Sequence, residues 1–113
     1  MRQKAHRLSL AAYVATSTFP REEMYGLTNQ IRRSASIAAN IAEGCGKRGD
    51  PEFQRFLNIA TGPASELEYH FLLARDLGYL SDLDYTRLDN AVVEVKRMLA
   101  SLVRKVEEDS RTG

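Results

Sequence analysis

Five basic side chains are the first residues in this 113-residue chain whose type and spacing could do chemistry. Arg32 and Arg33 are adjacent in mid-helix, and Lys47, Arg48 and Arg55 follow at the end of that stretch or the start of the next. Arginine presents a planar fork of donors that matches phosphate oxygens, and phosphate contacts supply most of the affinity of proteins for nucleic acid. In a bundle with a short second connection Lys47, Arg48 and Arg55 gather near one end, with the arginine pair two to three turns back. Asn29, Gln30 and Asn58 could add polar contacts. The same residues have a structural reading, in which Arg32 pairs with Glu43 or another carboxylate inside the bundle or across a subunit interface.

A second polar set is Asn40, Glu43, Glu66 and Glu68, on helices expected to face one another. Glutamates on facing helices hold paired metal ions in ferritin-like bundles, but those sites also need Glu-x-x-His, and the chain has none. His6 and His70 stand in no metal-ligand spacing, so no metal and no cofactor is expected. These four residues read as structural, with Glu66 or Glu43 satisfying an arginine. Cys45 has no neighbouring base or orienting group in sequence and reads as an ordinary thiol. Tyr25, Tyr69, Tyr79, Tyr85, Phe53, Phe56 and Phe71 could stack on bases, yet their helical spacing suits core or subunit contact, with Phe56 and Tyr69 the candidates for exposure. Without a nucleophile, an acid–base pair or a metal site, no enzymatic activity and no small-molecule substrate is expected.

The elements that must position these groups are all helical. Ala5, Leu8, Ala12, Ala15 and Phe19 place a first helix over about residues 2–17, which Pro20 ends. Glu22 and Glu23 suit a helix N-terminus, while Gly26 leaves two starts open for the second helix, Pro20 or the residue after Gly26. Leu27, Ile31, Ser34, Ala38 and Ile41 form one stripe of that helix, and its middle is small (Ser34, Ala35, Ser36, Ala38, Ala39), so neighbours can approach closely. Gly44 ends it. The loop GCGKRGDP follows a helix, not a strand, and lacks phosphate-cradling glycine spacing.

Asp50 and Pro51 start a third helix, with Phe53, Leu57, Ala60, Ala64, Leu67, Phe71 and Ala74 on one face and a stop at Gly78. Gly62 and Pro63 lie inside it, where proline removes a backbone bond at a cost of roughly 3 kcal/mol, so a kink or break is expected there. Ser81 with Asp84 resembles a capping box that opens a fourth helix. Tyr85, Leu88, Val92, Val95, Leu99, Leu102 and Val106 keep heptad spacing along it. The expected architecture is all-α, an antiparallel up-and-down four-helix bundle over residues 1–108, with a polar tail at 109–113.

Composition bounds the partners. A formal net charge of +1 gives no global basic field, so a nucleic acid would have to meet a local patch. A single cysteine suits a reducing compartment, and no apolar run approaches the roughly 18 residues of a membrane span; a cytoplasmic protein without a membrane partner is expected.

The words FPREEMYGLTNQIRRS, NIAEG, EFQRFLNIA, SELEY and ARDLGYL, in this order, resemble the four-helix-bundle family encoded by intervening sequences in bacterial large-subunit (23S) ribosomal RNA genes. The resemblance spans roughly residues 19–80, with the flanking helices matching in position only. It implies a ribosomal-protein-like, non-enzymatic bundle that forms a homopentamer, as related members do. A more distant likeness is to bundle proteins that accompany diversity-generating reverse transcriptases and bind nucleic acid. Two departures stand out: Ile59, Ala60, Thr61, Gly62 and Pro63 where the family commonly reads I-A-x-G-S, and a segment between Arg33 and Asn40 one residue shorter than usual, which turns a helix by about 100°. The function expected is an oligomeric, non-catalytic bundle that binds RNA, or DNA, through the arginine-bearing surface. The alternative is a protein scaffold or accessory subunit, for example of a reverse transcriptase complex.

Overall fold

The structure, a computed structural model, describes residues 2–43 and 51–112, with side chains for 3–40, 55, 61–105 and 108. Helix α1 (Arg2–Thr16), a single 3-10 turn (Arg21–Glu23), α2 (Leu27–Glu43), α3 (Pro51–Asp76) and α4 (Asp82–Thr112) follow in order. No strand occurs among the described residues. Helix α1 packs on α2, α2 on α3, α3 on α4, and α4 closes back on α1, while the diagonal pairs stay apart. This is the expected up-and-down four-helix bundle, drawn out to 51 × 24 × 19 Å.

The core is built around the small stripe of α2. Leu27, Ile31, Ser34, Ala35 and Ala38 are all buried, and bulk comes from the neighbours: Leu8 on α1, Leu67 and Phe71 on α3, Leu88, Val92, Val95 and Leu99 on α4. Three helices therefore supply the volume that the fourth lacks, which lets α2 sit between α1 and α3 at short range.

The helix ends follow from local chemistry. The Gly26 carbonyl accepts the first α2 bond from the Gln30 N–H at 3.0 Å, so α2 starts after Gly26 and Pro20 leads only into the 3-10 turn. At the end of α3, Gly78 takes φ +83°, the Tyr79 N–H reaches the Ala74 carbonyl and the Gly78 N–H reaches that of Arg75, both at 2.9 Å. That paired closure needs a left-handed residue, which glycine adopts without strain. Ser81 caps α4, its Oγ accepting the Asp84 N–H at 3.1 Å.

Pro63 does not break α3; the helix runs through Gly62 and Pro63 as one element. Burial immediately beyond the proline, at Ala64, Leu67, Phe71 and Ala74, offsets the lost backbone bond. Residues 109–112, expected as tail, continue α4 in helix. A polar composition withdraws the burial that anchors a helix but leaves its backbone bonding available.

Ion pairs mark the register: Lys4 with Glu94 joins α1 to α4, and Lys96 with Glu68 at 3.0 Å joins α4 to α3. Eighteen residues of α4 follow Glu94 whereas only two precede Lys4 in α1. At about 1.5 Å per residue, the last turns of α4 extend well past the start of α1.

If α2 is the thin member of the bundle, Ala35→Leu should overfill its seam and cost about 1–3 kcal/mol. Ala100→Leu on the exposed face of α4 should stay within about 0.5 kcal/mol. Urea denaturation of the two variants checks the difference.

Candidate nucleic-acid interface

One residue of an α-helix turns the chain by about 100°, so Arg32 and Arg33 cannot serve the same neighbour. Arg32 faces α1. Its Nε donates to the Thr16 Oγ1 at 2.9 Å, and its guanidinium lies 4.9 Å from the centre of the Tyr13 ring. Thr16 is itself buried, and its hydroxyl donates to the Ala12 carbonyl at 2.8 Å. Arginine, hydroxyl and carbonyl thus form a short relay that stitches α2 to the last turns of α1. Arg32 makes no ion pair among the described residues. The partner its structural reading named, Glu43, has a side chain outside them.

Arg33 turns toward α3. It is exposed and lies on a polar cleft of about 350 Å³ between the two helices. The cleft is lined from α2 by Gln30, Arg33, Ser34 and Ile37, and from α3 by Pro63, Glu66 and His70. Each set keeps helical spacing, so the two stripes face one another. Neither Arg33 nor Glu66 forms an ion pair among the described residues. Glu66, expected to satisfy an arginine, instead stands exposed at the cleft. The Nδ1 of half-buried His70 and the Thr28 Oγ1 are each shut from solvent and have no hydrogen-bond partner among the described residues. A buried polar atom left so costs about 1–3 kcal/mol.

The remaining candidates are dispersed. Arg55 is exposed near the start of α3 and Asn40 is exposed on α2, while Glu68 is held by Lys96. Lys47, Arg48 and Cys45 lie outside the described residues, as do the side chains of Phe53, Phe56 and Asn58. Tyr69 is 59% exposed, with its ring 5.8 Å from that of His70. Tyr79 packs against Phe19 at 5.4 Å, and Tyr85 lies beneath the guanidinium of Arg75 at 4.5 Å. No group of three His, Cys, Asp or Glu is placed to hold a metal among the described residues. No described helix is long and apolar enough to cross a membrane.

Sequence reasoning did not assign His70 or Pro63 to a site. The signal was present, since Pro63, Glu66 and His70 fall at i, i+3 and i+7, but only the pairing of α3 with α2 gives that stripe a partner. An apolar groove of about 500 Å³ was likewise not foreseen. It runs between α1 and the start of α4, lined by Ala11, Val14, Ala15, Tyr79, Leu80 and Leu88, with Asp84 and Arg87 alongside. Leu10 and Val14 on α1 and Leu83 on α4 are exposed.

The molecule is thus an up-and-down four-helix bundle with an open polar cleft on α2 and α3 and an apolar groove on α1 and α4. A family comparison matches residues 1–101 to the family described as 23S rRNA-intervening sequence protein, and the chain belongs to that family. The match takes in α1 and much of α4 as well as the central words. A comparison with curated proteins finds no match.

The relay to Thr16 predicts that the arginine pair separates in stability. Arg32→Ala should destabilise the fold by about 1–2 kcal/mol, through the lost hydrogen bond and ring contact. Arg33→Ala should change it by less than about 0.5 kcal/mol. Denaturant midpoints measured side by side check this.

Proposed function

We propose that this protein is a non-catalytic, self-associating bundle that binds RNA through the α2–α3 face. The observation that carries the reading is the division of the arginine pair. Arg32 is spent on the bundle, while Arg33 stands exposed, and without a carboxylate partner among the described residues, at an open polar cleft. A guanidinium left without a protein partner beside amide and hydroxyl groups suits a phosphodiester, which takes its donors in a fork. RNA is the first ligand to try, because a single strand can present an unstacked base and its phosphate together to a cleft of this kind.

A net charge of +1 makes a single weak patch insufficient for tight binding. Self-association answers that limit, because copies of one patch on a symmetric ring bind a long strand with avidity. The exposed Leu10, Val14 and Leu83 beside the α1–α4 groove support an apolar contact between copies, and the family resemblance supports a pentamer. The same patch favours the second reading, a scaffold whose groove takes another protein.

The triple variant Arg33→Ala, Lys47→Ala, Arg48→Ala should bind a single-stranded RNA more weakly, with each lost phosphate contact lowering the salt slope by about 0.7. Anisotropy titrations at several salt concentrations read both quantities. An unchanged affinity and slope would exclude this face. In light scattering, the native chain should show a multiple of the monomer mass, and Val14→Asp should lower it.

A further inference from the structure

We infer that the α2–α3 cleft reads one unstacked guanine, with Glu66 as the reading group and Arg33 on the adjoining phosphate; this rests on the RNA-binding reading above. A free carboxylate is an unusual group to leave at a site for a polyanion. It repels phosphate, so its place in a phosphate-binding cleft calls for a cationic or donor-rich partner. Arg33 shares the cleft but does not pair with it. Among the four RNA bases only guanine presents two adjacent donors, the N1–H and the N2 amino group, on its Watson–Crick edge. A carboxylate accepts both at once, and no other base can offer that pair.

The rest of the cleft suits the same guest. Ile37 and Pro63 offer apolar surface, one from each helix, to the faces of a base. Gln30 carries an amide N–H able to donate to the guanine O6. A cleft of about 350 Å³ is large enough to take one base. Arg33 then reaches the phosphate that must accompany the base, which explains opposite charges standing unpaired in one small space.

The test uses the full chain and labelled ten-nucleotide uridine strands carrying at the centre a single guanosine, adenosine, inosine or uridine. Anisotropy at fixed salt should show the guanosine strand bound roughly tenfold more tightly than the adenosine and uridine strands. The inosine strand, which keeps the N1–H but lacks the N2 amino group, should lose most of that advantage. Glu66→Gln should erase the preference, so that the guanosine and all-uridine strands bind alike, and should tighten the all-uridine strand because the carboxylate's repulsion of phosphate is gone, a readout that general loss of structure would not give. Equal binding of all four strands by the native protein, with salt dependence intact, would overturn guanine reading and leave RNA binding standing. Failure to bind any strand would overturn both.

Discussion

The architecture depends on one constraint, the close approach that the small side chains of α2 permit. Ser34, Ala35 and Ala38 are buried where a bundle helix would ordinarily present leucines. The helices on either side must then bring the apolar volume, and they do so with Phe71, Leu67 and Leu8. The core thus closes with α2 seated between α1 and α3. With a neighbour on each of two flanks, α2 keeps Asn29, Gln30, Arg33 and Asn40 exposed, while side chains at its two edges lie beside one neighbour or the other.

That confinement gives the consecutive arginines different fates. With α1 on one flank and α3 on the other, a single step along α2 carries a side chain from one seam to the next. Arg32 meets a ring and a buried hydroxyl on α1, a setting in which a delocalised guanidinium is well accommodated. Arg33 meets the edge of α3, where Pro63, Glu66 and His70 leave a recess in place of a packed surface. The proline belongs to this picture, since its ring fills part of the recess while the buried residues that follow it hold α3 in helix.

The two halves of the surface therefore differ in kind. The α2–α3 side offers charge and hydrogen-bonding groups; the α1–α4 side offers leucine, valine and alanine around a groove. A bundle with unlike faces can hold a polar ligand on one and a copy of itself on the other, without asking either surface to do both.

Much of the fold was legible in the letters because its signals are local. Helical spacing set the apolar stripes, Gly78 and Ser81 set the boundaries of the α3–α4 turn, and the short connections set neighbouring helices together. The family words pointed to the same bundle. Two starts stood open for α2 until the Gln30–Gly26 backbone bond placed it after Gly26, and local patterns could not decide whether Pro63 interrupts α3, because that outcome turns on burial supplied by the packed helices. The site was less legible still. Arg32 and Arg33 are chemically identical in sequence, and only the identity of the flanking helices assigns one to structure and leaves the other open. Periodicity, which depends on the chain's own backbone geometry, settled which residues turn inward. The partner across each seam depends on how separate helices pack, and that was decided only when the four came together.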